Sequence, residues 1–188
     1  MKQLRLYHLK QITPGMIQHR ICERGSQVKK NINGEAAAKL YRSGKGRMGV
    51  PMQNIIGALI AAGRHITNKA KKKVSTAKST TLFDFLDFRT DFCEFDGCDE
   101  KGNIKWTPFV LKYELQGVNG HIARPRIPHW SLTVPVIFNS DREINEKTVD
   151  ELFEIAGRKI GLCDWRPAMG NRFGRFVIEK VEVTPIDN

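Results

Sequence analysis

The segment 130–138 sets apolar side chains at every second position: Trp130, Leu132, Val134, Val136 and Phe138. That period belongs to a strand with one buried face. Further on the period changes. Asn145 stands where a side chain can cap a helix, and Val149, Leu152, Phe153, Ala156 and Ile160 then recur at helical spacing, with Lys147, Glu151 and Glu154 on the other side. An apolar strand face followed by an apolar helix stripe must find cover in each other, so the expected class is α+β. Pro135 cannot donate to a ladder, which points to an edge or a bulge at that place.

The other elements are read in the same way. Residues 3–12 alternate, with Leu4, Leu6 and His8 on one side and Arg5, Tyr7 and Leu9 on the other. Pro51 suits a first helical position, and Met52, Ile55, Ile56, Leu59, Ala62 and Ile66 predict a helix over 51–66. Gly57 and Gly63 inside it each cost about 1 kcal/mol relative to alanine, which marks a close approach to a sheet or a partner. From Pro108, Phe109, Leu111, Tyr113 and Leu115 alternate in a strand running to Gly117, and Asn119-Gly120 then reads as a turn. Phe176, Ile178, Val181 and Val183 form the last strand, with a register slip between Ile178 and Val181 that predicts a bulge. The order strand, helix, strand, strand, helix, strand predicts a ferredoxin-like βαββαβ domain, a four-stranded antiparallel sheet with two helices on one face. One domain spans 1–188.

Three segments interrupt that order. Residues 13–50 are broken by Pro14, Gly15, Gly25, Gly34, Gly44, Gly46 and Gly49 and read as an irregular excursion with a short helical turn from Glu35 to Arg42. Residues 67–81 carry Lys69, Lys71, Lys72, Lys73 and Lys78 without an acid, a mobile basic arm expected to order on nucleic acid. Residues 84–103 reverse the sign, with Asp84, Asp87, Asp91, Glu94, Asp96, Asp99 and Glu100, and suit docking of the lysine arm of a neighbouring copy in a head-to-tail filament.

Charge narrows the partners. Lys and Arg number 31 against 20 Asp and Glu, a net charge of +11, which is the electrostatic footprint of a protein that meets a polyanion. No run reaches the roughly eighteen apolar residues of a membrane span, and the N-terminus is not a signal peptide, so a cytoplasmic location is expected. The loop 161–175 holds Gly161, Gly170 and Gly174 together with Arg166, Arg172 and Arg175, while Trp165 and Phe173 offer flat faces. Glycines admit close backbone approach, arginines match phosphate, and rings stack on bases. The candidate interface is therefore Lys69, Lys71, Lys72, Lys73 and Lys78 for phosphate neutralisation, Arg124, Arg126, Arg166, Arg172 and Arg175 for the backbone, and Trp130 and Trp165 for stacking. Cys22, Cys93, Cys98 and Cys163 read as reduced thiols. Cys93 and Cys98 with His19 or Cys22 meet zinc-ligand spacing once only, so no metal or cofactor is expected.

With its elements in this order and a glycine-rich loop before the last strand, the chain resembles the RAMP superfamily of CRISPR RNA-binding proteins, above all the backbone subunits that polymerise along guide RNA. Residues 49–63, a small-residue-rich helix starting just after a proline, are similar to the first-helix segment of that superfamily. The resemblance implies RNA binding, with the lysine segment in the place of a flexible arm. The chain also resembles a family of phage-encoded proteins through Thr13-Pro14…His19-Arg20, the run 124–130, and Gly161…Asp164-Trp165-Arg166-Pro167…Phe173-Gly174-Arg175-Phe176, a likeness that carries no activity with it. Some RAMP proteins cleave RNA without metal, using a histidine. Of His8, His19, His65, His121 and His129, His19 beside Arg20 is best placed for that chemistry. Ser43-Gly-Lys-Gly-Arg lacks the spacing of a Walker loop. The resulting expectation is a non-catalytic binder of single-stranded nucleic acid, RNA or DNA, that assembles along the strand in a bacterial host cell. The alternatives are a metal-independent endoribonuclease and a phage-encoded inhibitor that imitates a subunit of a host ribonucleoprotein.

Overall fold

A computed structural model describes residues 2–12, 14–20, 31–115, 118–140 and 143–186. Thr13, Cys22, Gly25 and Gly117 lie outside the described residues. In chain order the elements are β1 (Lys2–Gln11), β2 (Met16–Ile17), α1 (Ile32–Ala38), β3 (Gly49–Pro51), α2 (Met52–Gly63), α3 (Leu82–Phe85), β4 (Leu86–Asp87), β5 (Phe92–Glu94), β6 (Thr107–Leu115), β7 (Val118–Ile127), β8 (Ser131–Asn139), α4 (Glu146–Ile155) and β9 (Phe176–Pro185). The fold is α+β. Its main sheet has the order β4-β8-β1-β9 and is antiparallel at every pairing.

Alternation decides which face of this sheet is covered. Tyr7 and Leu9 of β1 and Leu132, Val134, Val136 and Phe138 of β8 are buried in one core with Ile55 and Leu59 of α2 and Val149, Leu152 and Phe153 of α4. The Tyr7 ring stacks on Phe153 with centroids 3.9 Å apart. Arg5 lies on the same covered face. Its Nη2 donates to Asp150 Oδ1 at 2.7 Å, and the Tyr7 hydroxyl donates to the same oxygen at 2.7 Å. Burial, with Asp150 alongside, pushes the Tyr7 hydroxyl far above its ordinary value. The network holds α4 against β1 through charge as well as through apolar contact.

The second strand of the main sheet is not 108–117. Leu86–Asp87 takes that place beside β8, and its two residues are too short to show any period. Residues 107–115 instead pair with Val118–Ile127 in a hairpin that joins β2 in a separate sheet of order β2-β7-β6. Asn119 and Gly120 are not a turn: they sit in β7 opposite Glu114 and Tyr113. The reading of Asn119-Gly120 as a turn left β7 without a strand assignment in the sequence. Pro125 is accommodated because it faces Pro108 across the ladder, while its carbonyl accepts from Gln18 N. At Pro135, β8 has a ladder on the β1 side alone, since β4 reaches only Ile137 and Phe138.

The remaining segments are tied to this frame. Asn31 caps α1, accepting from Gly34 N at 2.6 Å, and Asn145 caps α4, accepting from Thr148 N at 3.0 Å. Buried Gln18 donates to Gly49 O at 2.7 Å and accepts from Tyr41 N at 2.8 Å, joining the segment after β2 to β3. Helix α2 ends at Gly63, where a Cβ would lie 2.6 Å from Ser75 Oγ. The chain after it forms two short turns closed by Thr67↔Lys73 and Ser75↔Thr80, with Val74 buried. Residues 156–160 continue α4 as a π turn, with Gly161 N donating to Ala156 O at 2.7 Å. In β9, Lys180 pairs with His8 and Ile178 with Leu9, so Glu179 is the extra residue of a bulge.

Asp150→Ala is expected to cost about 2–3 kcal/mol in urea denaturation, because it leaves a buried guanidinium without its nearest acceptor. Asp150→Asn, which keeps one acceptor, should cost less. Equal losses for the two would show that shape, and not acceptance from Arg5, holds α4.

Candidate nucleic-acid interface

The glycine loop 161–175 is folded back on itself and stitched to the N-terminal segment. Leu162 N donates to Gly174 O at 2.9 Å, Gly174 N to Gly15 O at 2.8 Å and Asp164 N to Ile17 O at 3.0 Å. Gly174 has φ +73°, and a Cβ there would lie 2.0 Å from Leu162 O, so no other residue fits. Cys163 (φ +60°) and Trp165 (φ +53°) hold left-handed backbone without being glycine. Such strain costs on the order of 1–3 kcal/mol and persists where the surroundings over-determine it.

Strand register supplies the opposite wall. Phe109 of β6 lies directly across from Arg124 of β7. Arg124 and Arg126 are two residues apart and so share one face of β7, while Ala123 and Ile127 are buried on the other. Loop and hairpin enclose a cleft of about 460 Å³ lined by Phe109, Trp165 and Phe173 with Arg126, Asn171 and Arg172. Phe109 meets Trp165 edge-on at 5.4 Å and Phe173 at 5.5 Å. The Arg126 guanidinium lies 6.0 Å from the Phe173 centroid and that of Arg124 5.7 Å from the Trp165 ring.

Charge pairing fixes these groups. Arg124 forms an ion pair with Asp164, both side chains being mostly buried. Arg126 Nε donates to Pro14 O at 3.1 Å. The outer edge of β7 is completed by α1: Ala123 N donates to Glu35 Oε1 at 3.1 Å, and Lys39 Nζ donates to Ala123 O at 2.8 Å and to Glu35 at 2.6 Å. An i, i+4 pair of side chains thus does the work of a neighbouring strand. Burial works upward on the Glu35 carboxyl, but the bonds from Lys39 and Ala123 outweigh it and hold the group below its usual range. His19 Nδ1 lies 3.9 Å from Asp164 Oδ2. Burial, then Arg124 and Lys39, lowers its pKa, so the ring is neutral at pH 7.

The structure gathers only part of the expected interface. Arg124, Arg126, Trp165 and Arg172 meet at the cleft. Arg166 turns to a different hollow, its Nη1 donating to Cys163 O at 2.7 Å. Arg175 is half-buried at the start of β9, where its carbonyl accepts from Ile12 N at 2.9 Å. Trp130, expected to stack on a base, is 4% exposed and packs between Phe95 and Phe176, so it has no open face; it is a core residue because it begins the covered side of β8. Lys69, Lys71, Lys72, Lys73 and Lys78 are all exposed. They follow the C-terminus of α2 and sit near Glu143 at the start of α4, whereas the glycine loop follows the end of α4. The arm thus follows the last turn of α2, whereas Arg166 of the glycine loop lies against its first two turns, at Gln53, Asn54 and Gly57.

Phe109 was hidden from sequence reasoning, because its place in the cleft depends on the register with β7. In the acidic segment Glu94 pairs with Arg47, and Asp87 with Arg89. Burial pushes the Cys163 thiol up to about 12, which leaves it protonated and inert. Among the described residues no three His, Cys, Asp or Glu side chains converge as metal ligands, and no helix is long and apolar enough to cross a membrane.

His19 is expected to titrate below 6.5 by NMR, and Arg124→Gln to move the midpoint upward. With a depressed folded pKa, the unfolded chain binds the proton first, so the His19 contribution is intact above about pH 6.5 and is lost as pH falls through the folded midpoint. The Arg124→Gln variant should show a smaller acid loss from this residue; an unmoved midpoint would leave burial and Lys39 as the causes. No family model matches this chain, and no curated protein matches it in sequence.

Proposed function

We propose that this protein binds single-stranded nucleic acid through the cleft between the glycine loop and the β6–β7 hairpin. The carrying observation is the meeting of two half-exposed rings, Phe109 and Trp165, with Arg126 and Arg172 in one cleft of a chain with net charge +11. Rings give sequence-tolerant stacking, and guanidinium groups follow phosphates. A duplex keeps its bases stacked inside, so a cleft that takes up a single flat ring favours an unstacked strand. The ferredoxin-like assignment belongs to the same proposal. It is supported by the order β9-β1-β8-β4, with α2 in the chain between β1 and β4 and α4 between β8 and β9. The RAMP likeness supports it too. Assembly along the strand, by the exposed lysines of one copy against the acidic segment 84–103 of the next, extends the reading, as does a place in the cytoplasm of a bacterial host.

One observation favours a second reading, an endoribonuclease. The neutral His19 imidazole lies beside Asp164 and Arg124, whose guanidinium lies over the cleft residue Trp165, and a neutral imidazole can take a proton from a ribose hydroxyl.

Fluorescence anisotropy with labelled single strands and duplex at several salt concentrations tests the first reading. Trp165→Gly, in which glycine accepts the φ of +53°, should weaken single-strand binding by about 1–3 kcal/mol. Arg126→Gln and Arg172→Gln should each reduce the salt slope by roughly one. Equal affinity for duplex, or an unchanged Trp165→Gly variant, would sink it. If labelled RNA is cut by the parent and left intact but bound by His19→Ala, the second reading takes its place.

A further inference from the structure

Next to the glycine loop, α2 and Arg166 enclose a hollow of about 240 Å³ lined by Gln53, Asn54, Gly57, Ala58 and Arg166. We infer that this hollow is a purine-reading subsite on the path of the same strand, an inference that rests on the single-strand reading above.

Gly57 is the first ground. It lies in the middle of a twelve-residue helix and is exposed, and a Cβ added to it would meet nothing within 4 Å. No packing inside the protein calls for a glycine, in contrast to Gly63, whose Cβ would press on Ser75. A mid-helix glycine still costs about 1 kcal/mol relative to alanine. What its absent side chain provides is bare helix backbone at the floor of a hollow, the surface a flat ligand can approach closely.

The polar groups around that floor are the second ground. Gln53 and Gly57, and Asn54 and Ala58, are four residues apart, so both amides stand on the helix face that carries the floor; Asn54 is held by the Tyr41 hydroxyl, and Gln53 is exposed. Arg166 is anchored through Nη1 on Cys163 O, which fixes its guanidinium while leaving the other donors for a ligand. Amide side chains match the N6/N7 edge of adenine, and a guanidinium matches the O6/N7 edge of guanine. Both purines present N7 as an acceptor, and pyrimidines have no such atom. In this hollow a pyrimidine meets the same donors only with the O2, N3 or O4 acceptors of a smaller ring, so it cannot offer the N6/N7 or O6/N7 edge.

Continuity with the cleft is the third ground. Trp165 lines the cleft and Arg166 the hollow, and their Cα atoms are about 3.8 Å apart as chain neighbours. Adjacent nucleotides of one strand can therefore occupy the two sites, one base stacked against the rings and the next set on α2.

The test is anisotropy at fixed salt with an all-pyrimidine oligonucleotide and the same oligonucleotide carrying one central purine. The purine should tighten binding at least fivefold, in keeping with about 1 kcal/mol or more for a good base pairing. Gly57→Leu should fill the hollow and keep the fold, since leucine is the better helix former and meets no clash. It should abolish the purine preference, with the all-pyrimidine strand still bound through the aromatic cleft, and Gln53→Ala should lower the preference. Equal binding of the two oligonucleotides by the parent protein, or a preference that survives Gly57→Leu, overturns the subsite alone. Absence of binding to either oligonucleotide overturns the subsite and the single-strand reading together.

Discussion

Everything else in the molecule hangs on the double pairing of β1. It is bonded along its length to β8 on one side and β9 on the other, and its alternate side chains Arg5, Tyr7 and Leu9 are buried under the helices. The connection from β8 to β9 must cross that covered face, which is where α4 lies. Both ends of the glycine loop are thereby held: one by the last turn of α4, the other by the first residue of β9. A loop of fifteen residues would be costly to order alone. Here the frame and the Gly174 contact supply its fixed points.

The cleft is built from two elements that do not belong to the main sheet. Hairpin β6–β7 brings Phe109, Arg124 and Arg126, and α1 closes the edge of β7 through Glu35 and Lys39. The Arg124–Asp164 pair crosses from hairpin to loop in a setting where water screens little. A buried pair of this kind adds little net stability compared with apolar residues, but breaking it exposes an uncompensated charge. Its role here is geometric. It sets the distance between two walls whose aromatic rings meet edge to face.

Positive charge is divided into two populations. Arg124 and Arg126 are half-buried, bonded to Asp164 and Pro14 O and held near rings, whereas the lysines after α2 are exposed, with no carboxylate partner among the described residues. The first population suits recognition at short range, where direction matters. The second acts through a field that reaches about 10 Å at ordinary salt and is blunted as salt rises. Their separation along α2 gives the molecule a polarity, with a shaped site at one end and a diffuse one at the other.

What the sequence by itself determined is what depends on local repetition: the strands at 2–11, 131–139 and 176–185, both main helices with the Asn145 cap, the bulge near Glu179 and the concentration of arginine, glycine and aromatic residues in the loop 161–175. What only the tertiary structure decided depends on partners far apart in the chain. Leu86–Asp87 is a strand only because β8 offers it an edge, and β7 is one in spite of Gly120 and Pro125 because β6, β2 and the Glu35–Lys39 pair satisfy its backbone. Trp130 and Trp165 look alike in sequence, each beside basic residues. One begins the covered face of a strand and the other is turned outward by left-handed backbone, and the difference arises from packing, to which no local pattern gives access.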